Sequence, residues 1–138
     1  MLEDIGYAVA YAGIGVVMLG LGFFALDVLT PGKLAKHIWE DRSLNASIVL
    51  SSGFLGIGLI VFTTIWVHAT ASFGEALEWT VVFGLVGIAL QAVAYVVLDL
   101  ATPGKLGDAI CDTKFHPASL VTAASQVAVS LVVVASIA

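Results

Sequence analysis

The chain has 138 residues, 60% of them hydrophobic and 11% charged, with a net charge of −5. A soluble domain carries about 25% charged residues, so this composition argues against a water-bathed fold and points to lipid as the solvent. Five Lys and Arg residues make no basic face for nucleic acid. The single cysteine, Cys111, closes no intrachain disulfide and builds no thiolate cluster.

The chain opens on the acidic stretch Met1-Leu2-Glu3-Asp4. A secretory signal begins with positive charge, so the first apolar segment is read as a retained helix. Four stretches lack Asp, Glu, Lys, Arg and His: Ile5 to Leu26, Ser43 to Val67, Trp79 to Leu98, and Pro117 to Ala138. Each has about 20 residues or more, the length that crosses roughly 30 Å of hydrocarbon as a helix. In lipid the backbone must satisfy its own hydrogen bonds, so helices are the economical solution. The expected fold is an all-α membrane protein of four transmembrane helices, ending inside its last helix with no soluble domain after it.

Two polar loops, Asp27 to Arg42 and Asp99 to His116, alternate with a shorter link, His68 to Glu78. All five basic residues, Lys33, Lys36, Arg42, Lys105 and Lys114, lie in the two polar loops. The positive-inside rule puts both loops in the cytoplasm and both termini outside.

The two loops are copies of each other. Leu26-Asp27-Val28-Leu29-Thr30-Pro31-Gly32-Lys33-Leu34 aligns with Leu98-Asp99-Leu100-Ala101-Thr102-Pro103-Gly104-Lys105-Leu106, seven identities in nine positions at an offset of 72 (99 − 27). The same offset pairs Glu3 with Glu75, Gly15 with Gly87, Ile38 with Ile110, Arg42 with Lys114, and Ser47 with Ser119. Gapless identity in register with the helix boundaries indicates duplication. One membrane domain is therefore expected, made of a helix pair over residues 1–72 and a second over residues 73–138. Each copy holds an even number of spans, so the copies share one orientation about an axis along the membrane normal.

On these residues the chain resembles a bacterial membrane family called domain of unknown function 350, the YjfL-like proteins. The resemblance covers nearly the whole chain and rests on the four spans with Asp27, Thr30, Pro31, Gly32 and Lys33 and their mates Asp99, Thr102, Pro103, Gly104 and Lys105. It implies a bacterial inner-membrane protein of two paired-helix repeats, and it implies no particular activity.

Physically, the motif reads as a turn. A carboxylate at a helix C-terminus meets the negative end of the dipole, unfavourable by about 0.3–1 kcal/mol, so something should compensate. Thr30 and Thr102 suit the N-cap of a second short helix, with Pro31 and Pro103 at its first position. Each Asp can accept hydrogen bonds from that helix's free N–H groups or pair with Lys33 or Lys105. Leu34, Ile38 and Trp39, with Leu106 and Ile110 in the second copy, form the apolar side of short helices expected to lie on the inner leaflet. The bland reading is a turn-and-anchor device in which Lys meets lipid phosphate. The sharper one is a paired acidic site at the cytoplasmic mouth of an ion path.

Several further features have a packing reading beside a functional one. Gly13, Gly15, Gly20 and Gly22, then Gly53, Gly56 and Gly58, then Gly84 and Gly87 let helices approach closely; a cofactor loop would need a preceding strand. Gln91 and Gln126 are the only amides deep in the spans. Both stand about 12 Å above the cytoplasmic edge, where a mutual hydrogen bond is feasible. Ser51, Ser52, Thr63 and Thr64 are expected to bond their own helix carbonyls. Ser72 with Glu75 fits a capping box, the alternative being an external cation site shared by Glu3 and Glu75. His37, His116 and Cys111 share one side, without the convergence a metal site requires.

No nucleophile–base pair or metal tetrad appears, so no enzyme, cofactor or metal is expected. The leading reading is a non-enzymatic, homo-oligomeric membrane module that binds lipid, including anionic head groups on the cytoplasmic side, or partner proteins in envelope maintenance. The alternative is a small homo-oligomeric ion channel or transporter with the duplicated Asp at its mouth. Few polar residues line the spans, which disfavours a wide aqueous pore but not a hydrophobically gated one.

Overall fold

A computed structural model describes residues 1–138. The chain is six helices: α1 (Leu2–Leu29), α2 (Leu34–Trp39), α3 (Leu44–Val67), α4 (Phe73–Ala101), α5 (Leu106–Cys111) and α6 (Ala118–Ile137). The long four, α1, α3, α4 and α6, are each apolar and long enough to cross a membrane.

Two of these helices outrun the charge-free stretches that announce them. α1 has 28 residues and α4 has 29, about 42 Å of helix at 1.5 Å per residue. Asp27 and Asp99 therefore lie inside the last turn of their helices rather than in the loops. Glu75 and Glu78 likewise fall inside α4, and the link before it shrinks to residues 68–72. Proline sets the C-terminal stop. A residue preceding proline is driven out of the helical region, and Thr30 (φ −97°, ψ 134°) and Thr102 (φ −87°, ψ 129°) are both extended.

α3 is the central helix. Eleven of its residues are buried, against three in α1, which are Met18, Gly22 and Leu26. It packs against α6, α4 and α1. Close approach is bought with glycine: a Cβ at Gly22 would collide with Ile57, one at Gly87 with Ile60, and one at Gly84 would sit 2.9 Å from Met18 Sδ. Gly13, Gly15, Gly20 and Gly58, read as packing positions, instead face open space.

The core falls into two apolar clusters. One, at the loop end, joins Leu26, Leu34, Ala46, Val49, Leu50, Tyr95, Leu106 and Ile110. The other joins Met18, Ile57 and Val61. The apolar side of the short helices thus differs from expectation: Leu34, Leu106 and Ile110 turn into the bundle and are 1%, 2% and 0% exposed. Trp39 alone projects outward, 70% exposed. At the opposite end Tyr7 stacks on Phe73 with centroids 4.5 Å apart, and His68 stacks on Trp79 at 5.4 Å, tying the ends of α1 and α3 to the start of α4.

Candidate functional site

The duplicated motif builds the same turn twice. After the extended Thr comes proline, then Gly32 (φ +75°) or Gly104 (φ +84°) in the left-handed region that glycine alone enters freely. Lys33 (φ −101°) and Lys105 (φ −107°) return the chain to extended geometry as N-caps. The first helical N–H of α2, Leu34 N, then donates to Asp27 Oδ1 at 2.7 Å; Leu106 N donates to Asp99 Oδ1, also at 2.7 Å. Each carboxylate closes the turn, across a separation of seven positions, with a charge-assisted bond that offsets its unfavourable place at a helix C-terminus.

The expected role of the threonines is corrected. Thr30 Oγ1 donates to Leu26 O at 2.7 Å and Thr102 Oγ1 to Leu98 O at 2.6 Å. They end the long helices instead of starting the short ones, and Pro31 and Pro103 lie in the turn. The hydroxyls thereby add a bond to carbonyls in the last turn of their own helices, Leu26 O accepting from Thr30 N as well. Neither Lys33 nor Lys105 pairs with an Asp; all five basic side chains are exposed and make no ion pair within the chain.

Around this frame the copies differ. Pro31 O accepts from His37 Nε2 at 2.7 Å and from Cys111 Sγ at 3.6 Å. Burial pushes the Cys111 thiol up, and the Asp108 and Asp41 carboxylates add to the effect. His37 Nδ1 faces Asp41 at 3.3 Å, and His116 Nδ1 accepts from Ala118 N at 3.0 Å. No group of three metal-ligating side chains converges.

A clip between the halves escaped the sequence reading. Asn45, fully buried, donates from Nδ2 to the carbonyls of Ala109 (3.3 Å), Asp112 (3.1 Å) and Lys114 (2.7 Å), and its Oδ1 accepts from His116 N at 2.8 Å. Ser43 Oγ adds bonds to Ile110 O and Asp112 O, each 3.0 Å. The signal available in the sequence is a break in the repeat, for the mates of Ser43 and Asn45 are Phe115 and Pro117.

Deeper in the bundle lies a polar layer. Gln91 Nε2 donates to Ser130 Oγ at 2.9 Å and to Gly53 O at 3.3 Å. Ser52 Oγ donates to Gln126 Oε1 at 2.9 Å, and Ser130 Oγ to Gln126 O at 2.8 Å. The direct bond expected between the two glutamines does not form: Ser130 Oγ links Gln91 Nε2 to the backbone carbonyl of Gln126, and α3 brings Gly53 and Gly56 between the side chains. A Cβ at Gly56 would fall 2.5 Å from Gln91 Nε2. Ser52, Thr63 and Thr64 do bond their own helix, to Val49, Leu59 and Ile60. Ser72 Oγ caps α4 by accepting from Glu75 N at 3.3 Å.

Comparison with known proteins fits this architecture. A UPF0719 transmembrane protein of Mycolicibacterium paratuberculosis is 31% identical over 129 residues, covering 94% of this chain and 85% of the relative. A UPF0719 transmembrane protein of Mycobacterium bovis is 30% identical over 137 residues, covering 99% of this chain and 90% of its own. No solved structure matches. The model of the Domain of Unknown Function family DUF350 matches residues 1–137, and the chain, a multi-pass transmembrane protein, belongs to that family.

Proposed function

We propose that this protein is a non-enzymatic module of the bacterial inner membrane that gathers anionic lipid head groups at its loop end, in the service of the cell envelope. The observation that carries this reading is the set of five exposed basic side chains, Lys33, Lys36, Arg42, Lys105 and Lys114, on two neighbouring links, none engaged by a carboxylate of the chain. Asp27 and Asp99 each accept a backbone N–H on Oδ1, a capping role that accounts for both carboxylates without an ion and so supports this reading over the channel alternative. In this reading the loop end is cytoplasmic and both termini lie outside. The two helix pairs share one orientation, α2 and α5 sit at the inner leaflet, and copies of the chain associate.

Lipid retention tests it. The full chain is reconstituted in mixed phosphatidylglycerol and phosphatidylcholine vesicles and examined by native mass spectrometry. A basic residue near an anionic surface contributes about 1 kcal/mol, so Lys33→Gln with Lys105→Gln should cut phosphatidylglycerol retention roughly tenfold or more, with phosphatidylcholine unchanged. Equal retention of both lipids by wild type overturns the reading. Cation flux that vanishes in Asp27→Asn would establish the channel instead.

A further inference from the structure

A cleft of about 310 Å³ opens at the loop end, where the two motif turns meet. The first turn gives it Thr30 and Pro31, the second gives it Asp99, Lys105 and Gly107, and Val28 and Leu29 add an apolar lip. Glycine lets the turns close on each other here. A Cβ at Gly107 would stand 2.5 Å from Pro31 Cδ, so Pro31 packs directly against the backbone of α5; the repeat mate of Gly107 is Ala35. Asp99 and Lys105 both line the cleft, yet they form no ion pair with each other. Asp99 spends Oδ1 on Leu106 N, which leaves Oδ2 to accept. Thr30, 5% exposed, gives its hydroxyl hydrogen to Leu26 O and keeps its oxygen as an acceptor.

We infer that this cleft is a site for a phosphoethanolamine head group, its ammonium donating to the Asp99 carboxylate and its phosphate meeting the Lys105 side chain. A purely anionic group gains from Lys105 and loses to Asp99, and a lone cation does the reverse. A zwitterion with its charges on a short chain satisfies both at once. An ammonium carries three N–H donors, for which Thr30 Oγ1 offers a further acceptor, whereas the trimethylated ammonium of choline carries none. The cleft thus separates two head groups of equal charge by their donors. Its volume lies at the small end of ligand sites, which suits a head group whose glycerol and acyl chains stay outside along Val28 and Leu29. The inference extends the loop-end lipid reading and rests on it for the position of the cleft at a leaflet surface. A membrane lipid and a soluble phosphoethanolamine share this chemistry.

The test is native mass spectrometry of the full chain released from vesicles with equal parts of phosphatidylethanolamine, phosphatidylcholine and phosphatidylglycerol. Wild type should retain the ethanolamine lipid over the choline lipid by about tenfold, the order of one charge-assisted hydrogen bond. Asp99→Asn removes the charge, keeps the cap and should abolish that preference. Asp27→Asn makes the same change at the matching turn, outside the cleft, and should leave the preference intact. Loss in both variants, loss in neither, or equal retention of the two lipids by wild type would each overturn the assignment. Excess soluble phosphoethanolamine then separates the sources. Ethanolamine lipid held against it identifies the lipid as ligand, and lipid displaced by it, with phosphocholine inert, identifies the free head group. Displacement by phosphocholine just as readily would overturn the recognition of ethanolamine. Retention of phosphatidylglycerol over phosphatidylcholine is read from the same spectra and reports on the loop-end reading alone, so the two fail separately.

Discussion

The two motif turns are one design used twice, and they separate only past their last shared residue. Through Leu34 and Leu106 the dihedrals, the cap and the 2.7 Å carboxylate bond coincide. Beyond that point the first link carries His37, which locks Pro31 O, where the second has Ala109; it ends on Ser43 and Asn45, where the second has Phe115 and Pro117. The first link therefore supplies the gripping side chains, and the second supplies the carbonyls that are gripped. Duplicate sequence gives duplicate local structure because the turn is dictated by Thr-Pro, by a left-handed glycine and by one Asp. At the contact between the halves the two copies differ, Ser43 and Asn45 standing where the second has Phe115 and Pro117.

The largest test of that contrast is Asn45→Ala. It strips partners from a buried cluster, each costing about 1–3 kcal/mol, so a loss of roughly 3 kcal/mol in detergent unfolding is expected. A loss below about 1 kcal/mol would mean the clip holds nothing together. Gly32→Ala and Gly104→Ala should both destabilise, since a left-handed non-glycine residue costs about 1–3 kcal/mol. Gly32→Ala should be the worse, because its Cβ would also press His37 Nε2 at 3.1 Å while Gly104 has open space. Thermal melts that rank them the other way would remove His37 from the account.

Asp27 and Asp99 should behave alike. Alanine at either should cost about 0.5–2 kcal/mol, and asparagine, which still caps, only a few tenths. Asparagine as damaging as alanine would show that charge, not capping, is the requirement. The smallest effect concerns Cys111, which the first copy replaces with Trp39. A thiol pushed up in the folded state binds its proton where the unfolded chain has lost it, so this group's contribution to stability falls as pH rises through the ordinary thiol range. Alkylation of folded protein near pH 8.5 should be several-fold slower than of unfolded protein. Equal rates would deny the burial and carboxylate effects.

Much of this was readable in advance, because it follows from one-dimensional signals. Four spans, the duplicated turn and Asp as its cap all come from hydropathy, spacing and dipole reasoning on Asp27 and Asp99. What was misread depends on competition. Thr30 could cap forward or bond backward, and it donates to Leu26 O, four residues behind. Gln91 and Gln126 share a depth, but only the packing of α3, α4 and α6 together shows that Gly53 and Ser130 intervene. Asn45 is harder to find because its partners lie 64 to 71 residues away, and the sequence marks it only by a break in the 72-residue repeat.

That separation has a consequence for biosynthesis. At about 5–20 residues per second, a ribosome that has delivered Asn45 needs roughly 3 to 14 s more before the carbonyls it binds exist. Throughout that interval α1 and α3 sit in the bilayer as a nascent pair, with an amide waiting at the water's edge. The first half is thus held in apprenticeship to the second, and a chain interrupted anywhere before Lys114 leaves the ribosome carrying an unclosed latch.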